Sequence, residues 1–341
     1  MTILFLSLIL LAVLLLPFIF KKVEHNLEVF LFAAGLSAAL VSRQMSGHLI
    51  SEAVFEPIPI SLAVLAFGLV FKWVRGHLDR LVKGLLNTVS IPVFVFFLVL
   101  ILGSLASVIT AIIAALILVE IISLLHLDKK HEIKIVIIAC FSIGLGAVLT
   151  PIGEPLSTIA IAKLKIWPDV NFWYLAKLLG LEVLGGVLAL SFLSLFFHGK
   201  HAKQGLVATH MEELYSQILL RAGKVYLFVM ALVFLGQGFK PVVDAYIVQL
   251  PSDLLYWINT SSAVLDNATL TAAEISPTMS VLQVKKILMG LLLAGGMLIP
   301  GNIPNIIAAS QLKIKSREWA IFGLPLGFIL MLIYFFILKI E

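Results

Sequence analysis

Two apolar stretches, residues 134–162 and 281–310, are long enough to cross a bilayer, yet each is broken in its middle by a pair of prolines. The first reads Gly146-Ala-Val-Leu-Thr150-Pro151-Ile-Gly153-Glu154-Pro155 and the second Gly295-Gly-Met-Leu-Ile-Pro300-Gly301-Asn302-Ile-Pro304. A helix needs ~20 residues to cross about 30 Å of hydrocarbon. A proline inside it removes a backbone donor and clashes with the preceding turn. No water is present in hydrocarbon to satisfy the freed groups, so such a break survives only inside protein or beside a water-filled cavity. These two segments therefore demand a surrounding bundle of helices.

The rest of the chain supplies one. Unbroken apolar stretches fall at 2–20, 27–43, 58–74, 171–197, 215–238 and 319–338. Residues 89–125 and 239–275 are too long for one crossing and are interrupted internally. The first carries Gly103 and Ser104 at its centre; the second carries Pro241, Pro251 and the polar run Asn259-Thr260-Ser261-Ser262. Each predicts a re-entrant helical hairpin. Of the 341 residues 61% are apolar and 13% charged, with a mean hydropathy of +1.12. That balance lies far outside the soluble range and excludes a soluble enzyme, a disulfide scaffold and a disordered regulator. The fold class is an all-α polytopic protein whose partner is the lipid bilayer. The net charge of +5 does not point to nucleic acid, because the bases sit in short clusters between apolar segments. The lone Cys140 builds no disulfide framework, and the eight histidines fall in or beside predicted loops. The first twenty residues lack a basic leader and a cleavage site, and predict a retained membrane helix.

The two broken stretches belong to an internal repeat. Both breaks are followed by an Ala/Ile-rich half ending in Leu-Lys-Ile, at 164–166 and 312–314, and both are preceded by arms of similar pattern, Ser107 to Glu120 and Ser262 to Glu274. The organisation expected is two N-terminal helices (1–57), repeat 1 (58–197, hairpin 89–125, broken helix 134–162), a cytoplasmic linker (198–214) and repeat 2 (215–338, hairpin 239–275, broken helix 281–310). Three crossings per repeat place the second copy upside down. Inverted repeats with interrupted helices at matching positions are the signature of secondary transporters, with the site where the breaks meet. With eight crossings, most of the 24 Lys and Arg fall on the cytoplasmic side if both termini lie outside the cell membrane. Residues 72–83 read as an amphipathic linker helix in the headgroup region. No nucleotide-binding loop and no nucleophile–base–orienter set is present, so neither ATP coupling nor an enzyme, and no cofactor, is expected.

A helix broken at mid-membrane leaves bare N–H groups on one half and bare C=O groups on the other. The first favour anions, the second a small hard cation such as Na+. Oxygen donors cluster there: Thr150, Glu154, Ser157 and Thr158 at the first break, Ser262, Asp266 and Asn267 in the second hairpin, and Asn302 and Asn305 at the second break. A carboxylate at mid-membrane costs at least ~2.5–3.5 kcal/mol, which singles out Asp266 and Glu154. Glu120, Glu274, Ser107 and Thr110 on the hairpin arms are weaker candidates, and Glu182 has no evident partner. No Lys or Arg is evident inside the membrane to pair with an anionic substrate.

The stretch Gly-Leu-Gly-Ala-Val-Leu-Thr150-Pro-Ile-Gly-Glu154-Pro resembles the first broken helix of NhaD-type sodium/proton antiporters. Ser262-Ala-Val-Leu-Asp266-Asn267 resembles their second hairpin signature, and Gly301-Asn302-Ile-Pro304-Asn305 their second break. These antiporters belong to the ion transporter superfamily with arsenite permeases and divalent-anion/sodium symporters, and the chain also resembles an uncharacterised cation transporter family within it. The resemblance implies two inverted repeats, often in a homodimer, with the site between hairpin tips and helix breaks. The first hairpin departs from the pattern, reading Ser107-Val-Ile-Thr110-Ala111-Ile112 where an Asp-Asn pair is expected. The expectation is secondary active cation transport, Na+/H+ antiport, with Na+ at Asp266, Asn267 and Asn302 and helix breaks at Pro151, Gly153, Pro155, Pro300, Gly301 and Pro304. The alternative is Na+-coupled symport of a small anion or carboxylate, held at the helix N-termini.

Overall fold

The computed structural model describes residues 2–20, 22–23, 26–197, 215–242, 250–265, 267–275 and 277–340, some side chains within them excepted. The linker 198–214 and Asp266 lie outside the described residues. Among the described residues the chain is helical and has no strand. In order, the helices are α1 (Thr2–Ile19), α2 (Leu27–Val41), α3 (Gly47–Phe55), α4 (Pro57–Thr88), α5 (Ile91–Ile109), α6 (Ala111–Leu125), α7 (Lys129–Ala147), α8 (Pro155–Leu164), α9 (Tyr174–Ser194), α10 (Tyr215–Val242), α11 (Ser252–Ile258), α12 (Asn267–Glu274), α13 (Val281–Gly295), α14 (Ile303–Leu312) and α15 (Ser316–Ile340).

Among the described residues, five helical stretches are long and apolar enough to cross a bilayer: Gly47–Val70, Ile91–Ile109, Tyr174–Phe197, Ile218–Val242 and Ser316–Ile340. Large apolar side chains stand exposed along α1, α9 and α15, among them Leu11, Leu181, Phe192, Ile321 and Phe336. Scattered so densely, they suit hydrocarbon and not water. The chain is a multi-pass membrane protein.

The centre is built from helices that are apolar all round, which only a buried position tolerates. In α7 every residue from Ile135 to Ala147 is buried, and in α13 every residue from Lys286 to Gly295. These two helices touch each other and are wrapped in a matched way. α5 and α9 pack on α7, while α11 and α15 pack on α13. α6 lies on α14, and α12 on α8; α4 lies on α6, and α10 on α12. α2 is seated on α10 by glycines: a Cβ on Gly35 would come 2.7 Å from the Ala231 carbonyl, and one on Gly238 2.6 Å from Ala38 Cβ. Tyr226 OH donates to Val54 O and Lys224 pairs with Glu28, so α10 holds both α2 and α3.

Three sequence expectations change. The turn in residues 89–125 comes at Thr110, not at Gly103-Ser104, which lie inside α5. Thr110 sits at φ 74°, a costly conformation for a β-branched residue, and its hydroxyl accepts from Ile113 N to cap α6. Gly103 serves packing instead, because a Cβ there would come 2.1 Å from Ser142 Oγ on α7. The expected span 58–74 and headgroup helix 72–83 form one helix of 32 residues, α4, about 48 Å long. No helix breaker stronger than a glycine separates the two. A further short helix, α3, is capped by Ser46, whose hydroxyl accepts from Leu49 N.

Candidate functional site

The first break spans residues 148–154, between α7 and α8. Gly153 crosses close to the end of α7, where a Cβ would meet the Ala147 carbonyl at 1.9 Å. Its own carbonyl accepts from Ala111 N at 2.9 Å. Thr150 donates its hydroxyl to the Ser107 carbonyl and accepts from Ile152 N. The tip of α5–α6 is thus sewn to the first break through Ser107, Ala111, Thr150 and Gly153. Glu154 is buried at the N-cap of α8, with extended backbone and no side-chain cap bond, and Pro155 opens the helix where its missing donor costs nothing. Ser157, one turn on, is fully buried with its hydroxyl oxygen unpartnered among the described residues. Thr158 is exposed and donates to the Pro151 carbonyl at 2.6 Å.

The second break spans residues 296–302, between α13 and α14. A 3-10 turn at Ile299–Gly301, which contains Pro300, leads to Asn302, the extended N-cap of α14, again without a side-chain cap bond. α8 and α14 have the same length, ten residues. Pro304 lies in the first turn of α14, and its carbonyl receives Cys140 Sγ at 3.7 Å. Asn305 locks this break, with Nδ2 donating to Gly295 O at 2.8 Å and to Leu298 O at 2.9 Å. Two carbonyls that the sequence offered to a cation are therefore engaged by an amide.

The second hairpin closes over this break. Its tip is a 3-10 turn, Asn259–Ala263, carrying the polar run that the sequence placed at mid-hairpin. Ser262 Oγ donates to Leu291 O on α13, and a Cβ on Gly301 would lie 2.7 Å from Ser262 O. Asn267 and Asn302 flank Gly295, where a Cβ would fall 3.7 Å from Asn267 Nδ2 and 3.8 Å from Asn302 Cβ. The Asn302 amide also covers Gly144 on α7, at 2.7 Å from a Cβ there. Both amides are buried, and Asn267 Nδ2 and Asn305 Oδ1 lack partners among the described residues. A half-turn of a carboxamide exchanges its NH2 for its oxygen, so this cluster can present neutral oxygens to a cation.

The predicted residues thus fall into two groups. Asn267, Ser262, Gly301, Asn302 and Asn305 come together at the second break, while Ser107, Thr110, Thr150 and Gly153 come together at the first. Glu120 is buried on α6, towards the end of the helix away from Thr110. Glu182, which lacked an evident partner, pairs with Lys285 at 2.5 Å, both side chains being largely buried. Lys286 is buried and bound to Asp253. Both lysines sit on α13, within the stretch expected as the second broken helix, and each is matched by an acid over 30 residues away in sequence. Gly144 and Asn259 escaped singling out as site residues. Gly144 lay inside a quoted motif, and Asn259 inside the polar run.

Among curated proteins, no sequence matches this chain. A family profile matches residues 3–340, nearly its whole length, and the chain belongs to that family, described as "Protein of unknown function (DUF1646)".

Proposed function

We propose that the protein is a secondary active cation transporter, a Na+/H+ antiporter built from two inverted repeats, α4–α9 and α10–α15, in the manner of the ion transporter superfamily. Each repeat contributes a re-entrant hairpin (α5–α6, α11–α12) and a discontinuous helix (α7–α8, α13–α14). The observation that carries the reading is the reciprocal packing: α6 lies on α14 and α12 on α8, with the buried amides of Asn267 and Asn302 at the second break and Asn302 reaching Gly144 on α7. A mid-membrane ion site between repeats requires interrupted helices held against the other half's hairpin, and this packing supports it.

In this mechanism Asp266 is the ion- and proton-binding carboxylate and Glu154 the second titratable group. Asn267 and Asn302 add neutral oxygens. Proton and cation compete because each neutralises the one charge that burial penalises. Competition alone yields exchange, provided the empty charged site does not reorient. Hairpins and broken helices move as a body against α1, α2, α3, the first part of α4, α9 and α15, in the cell membrane with both termini outside. The anion-symport alternative gains nothing from Lys285 and Lys286, since each is held by an acid.

The test uses purified protein in sealed liposomes with an imposed pH gradient followed by a pH-sensitive dye. Addition of Na+ or Li+ collapses the gradient for the wild type and leaves it intact for Asp266→Asn. Folded wild-type protein that moves no protons in response to any alkali cation would refute the proposal.

A further inference from the structure

Glu274 ends α12 and has no solvent exposure at all. Neither of its carboxylate oxygens meets a donor at hydrogen-bonding distance among the described residues. The polar side chain acting on it is Asn259, also fully buried, on the tip of the same hairpin. Asn259 spends one Nδ2 hydrogen on Ile287 O of α13 at 3.3 Å, and its Oδ1 has no donor among the described residues. Three acceptor atoms are thus gathered in one dry place with no donor of their own.

Among the described residues no cation offsets the charge. The elements packed on α12 are α8, α10 and α13. Their described charged side chains are Glu154 at the cap of α8, Lys163, Lys224, Lys240, Lys285 and Lys286. Lys224, Lys285 and Lys286 are held by Glu28, Glu182 and Asp253, and Lys163 and Lys240 are exposed; the Arg221 side chain and Asp266 lie outside the described residues. An ionised carboxylate so placed keeps its full desolvation cost. A carboxylic acid does not: its O–H would be a donor for Asn259 Oδ1, and its carbonyl oxygen an acceptor for the second Nδ2 hydrogen, once the two side chains close up. With Ile287 O taking the first Nδ2 hydrogen, every donor of the pair would then have an acceptor.

We propose that Glu274 is a proton-binding site distinct from the cation site, held as an acid by Asn259, and that it carries a further proton of the cycle beside the one that competes with the cation at Asp266. The second half of this statement rests on the exchange reading above. When the hairpin opens to water, the carboxylate is solvated and the proton leaves; when it closes over α13 again, a proton must return first. Three oxygens are too few to replace the shell of a sodium ion, which favours the proton as occupant.

Two measurements test it. Infrared spectra of the purified wild type should contain the carbonyl band of a protonated carboxyl, lost in Glu274→Gln and shifted in Asn259→Ala, which removes its acceptor. In liposomes, Glu274→Gln should keep exchange of labelled Na+ against Na+, while the protons moved per Na+ fall below the wild-type ratio. A wild type without that band, or one unmoved by Asn259→Ala, overturns the proton site even if Glu274→Gln fails to fold. A wild-type ratio of protons to Na+ in Glu274→Gln overturns its role as carrier. The band together with a wild type that moves no Na+ supports the proton site and refutes the exchange reading instead.

Discussion

Gly146→Ala is the substitution that most directly tests the seam between the first hairpin and the first broken helix. A Cβ at Gly146 would stand 1.7 Å from the Gly103 carbonyl oxygen, 2.7 Å from its carbon and 3.4 Å from its Cα. Carbon contacts are favourable only near ~3.5–4.0 Å, so α5 and α7 would have to part by more than an ångström. Nothing flexible can yield, because both surfaces are helical backbone. Parting the helices also breaks the Ser142 Oγ to Val99 O bond on the same seam, 3.2 Å long. Overpacking costs about 1–3 kcal/mol and a lost hydrogen bond ~1 kcal/mol. The helix-propensity gain of about 0.5–1 kcal/mol from removing a glycine recovers only part. We expect a net loss of roughly 2–3 kcal/mol, from the balance of those terms. Gly180→Ala is the control, since no atom lies within 4 Å of a Cβ there. Thermal unfolding in detergent, followed by loss of the monodisperse species, should separate the two variants by many degrees. Equal stability of Gly146→Ala and Gly180→Ala would refute the close approach of α5 to α7.

At Gly144 a Cβ would meet only the end of a side chain, Asn302 Nδ2, at 2.7 Å; Gly144→Ala should keep near-wild-type stability while pushing the amide aside, and cation-dependent proton movement in liposomes should then need more Na+ or change its Na+/Li+ preference. Unchanged concentration dependence and preference would remove Asn302 from the cation site. Glu182→Gln takes the carboxylate from Lys285 across the α9–α13 contact and should cost about 3 kcal/mol, the scale for breaking a buried pair, whereas Glu182→Gln with Lys285→Met should recover most of it. A double variant no more stable than the single one in thermal unfolding would show that the ion pair is not what the contact depends on.

The sequence made both helix breaks legible because their signal is local: paired prolines and glycine in an apolar run have no other place to go. The polar tip of the second hairpin was legible for the same reason, since Asn259, Ser261 and Ser262 stand out against apolar flanks. Thr110 was not, because its turn is made by backbone torsion at a residue type that normally avoids it, between Ile109 and Ala111. Gly103 looked like the turn and is a packing residue, a difference decided by Ser142 on another helix. The partnership of Glu182 with Lys285 joins positions about a hundred residues apart, which no spacing rule reaches. α4 read as two elements because its composition changes at Lys72, although nothing in its backbone stops the helix there.

The chemistry at the two breaks differs. At the first break the hairpin meets the chain through backbone groups, Ala111 N to Gly153 O and Thr150 Oγ1 to Ser107 O, and its tip is flanked by isoleucine and alanine. At the second, the hairpin brings Asn259, Ser262 and Asn267, and the break itself brings Asn302 and Asn305. A carrier with two equivalent cation sites needs oxygen-bearing side chains at both tips, and here the first tip offers only the hydroxyls of Ser107 and Thr110, the latter engaged in capping α6. On the exchange reading, the cation ligands therefore come from one hairpin and the two breaks, which fits a single cation per cycle. The first hairpin is then a mechanical part. It grips the break that ends in Glu154, so motion of that hairpin reaches the buried acid through two hydrogen bonds and the glycine seam behind them.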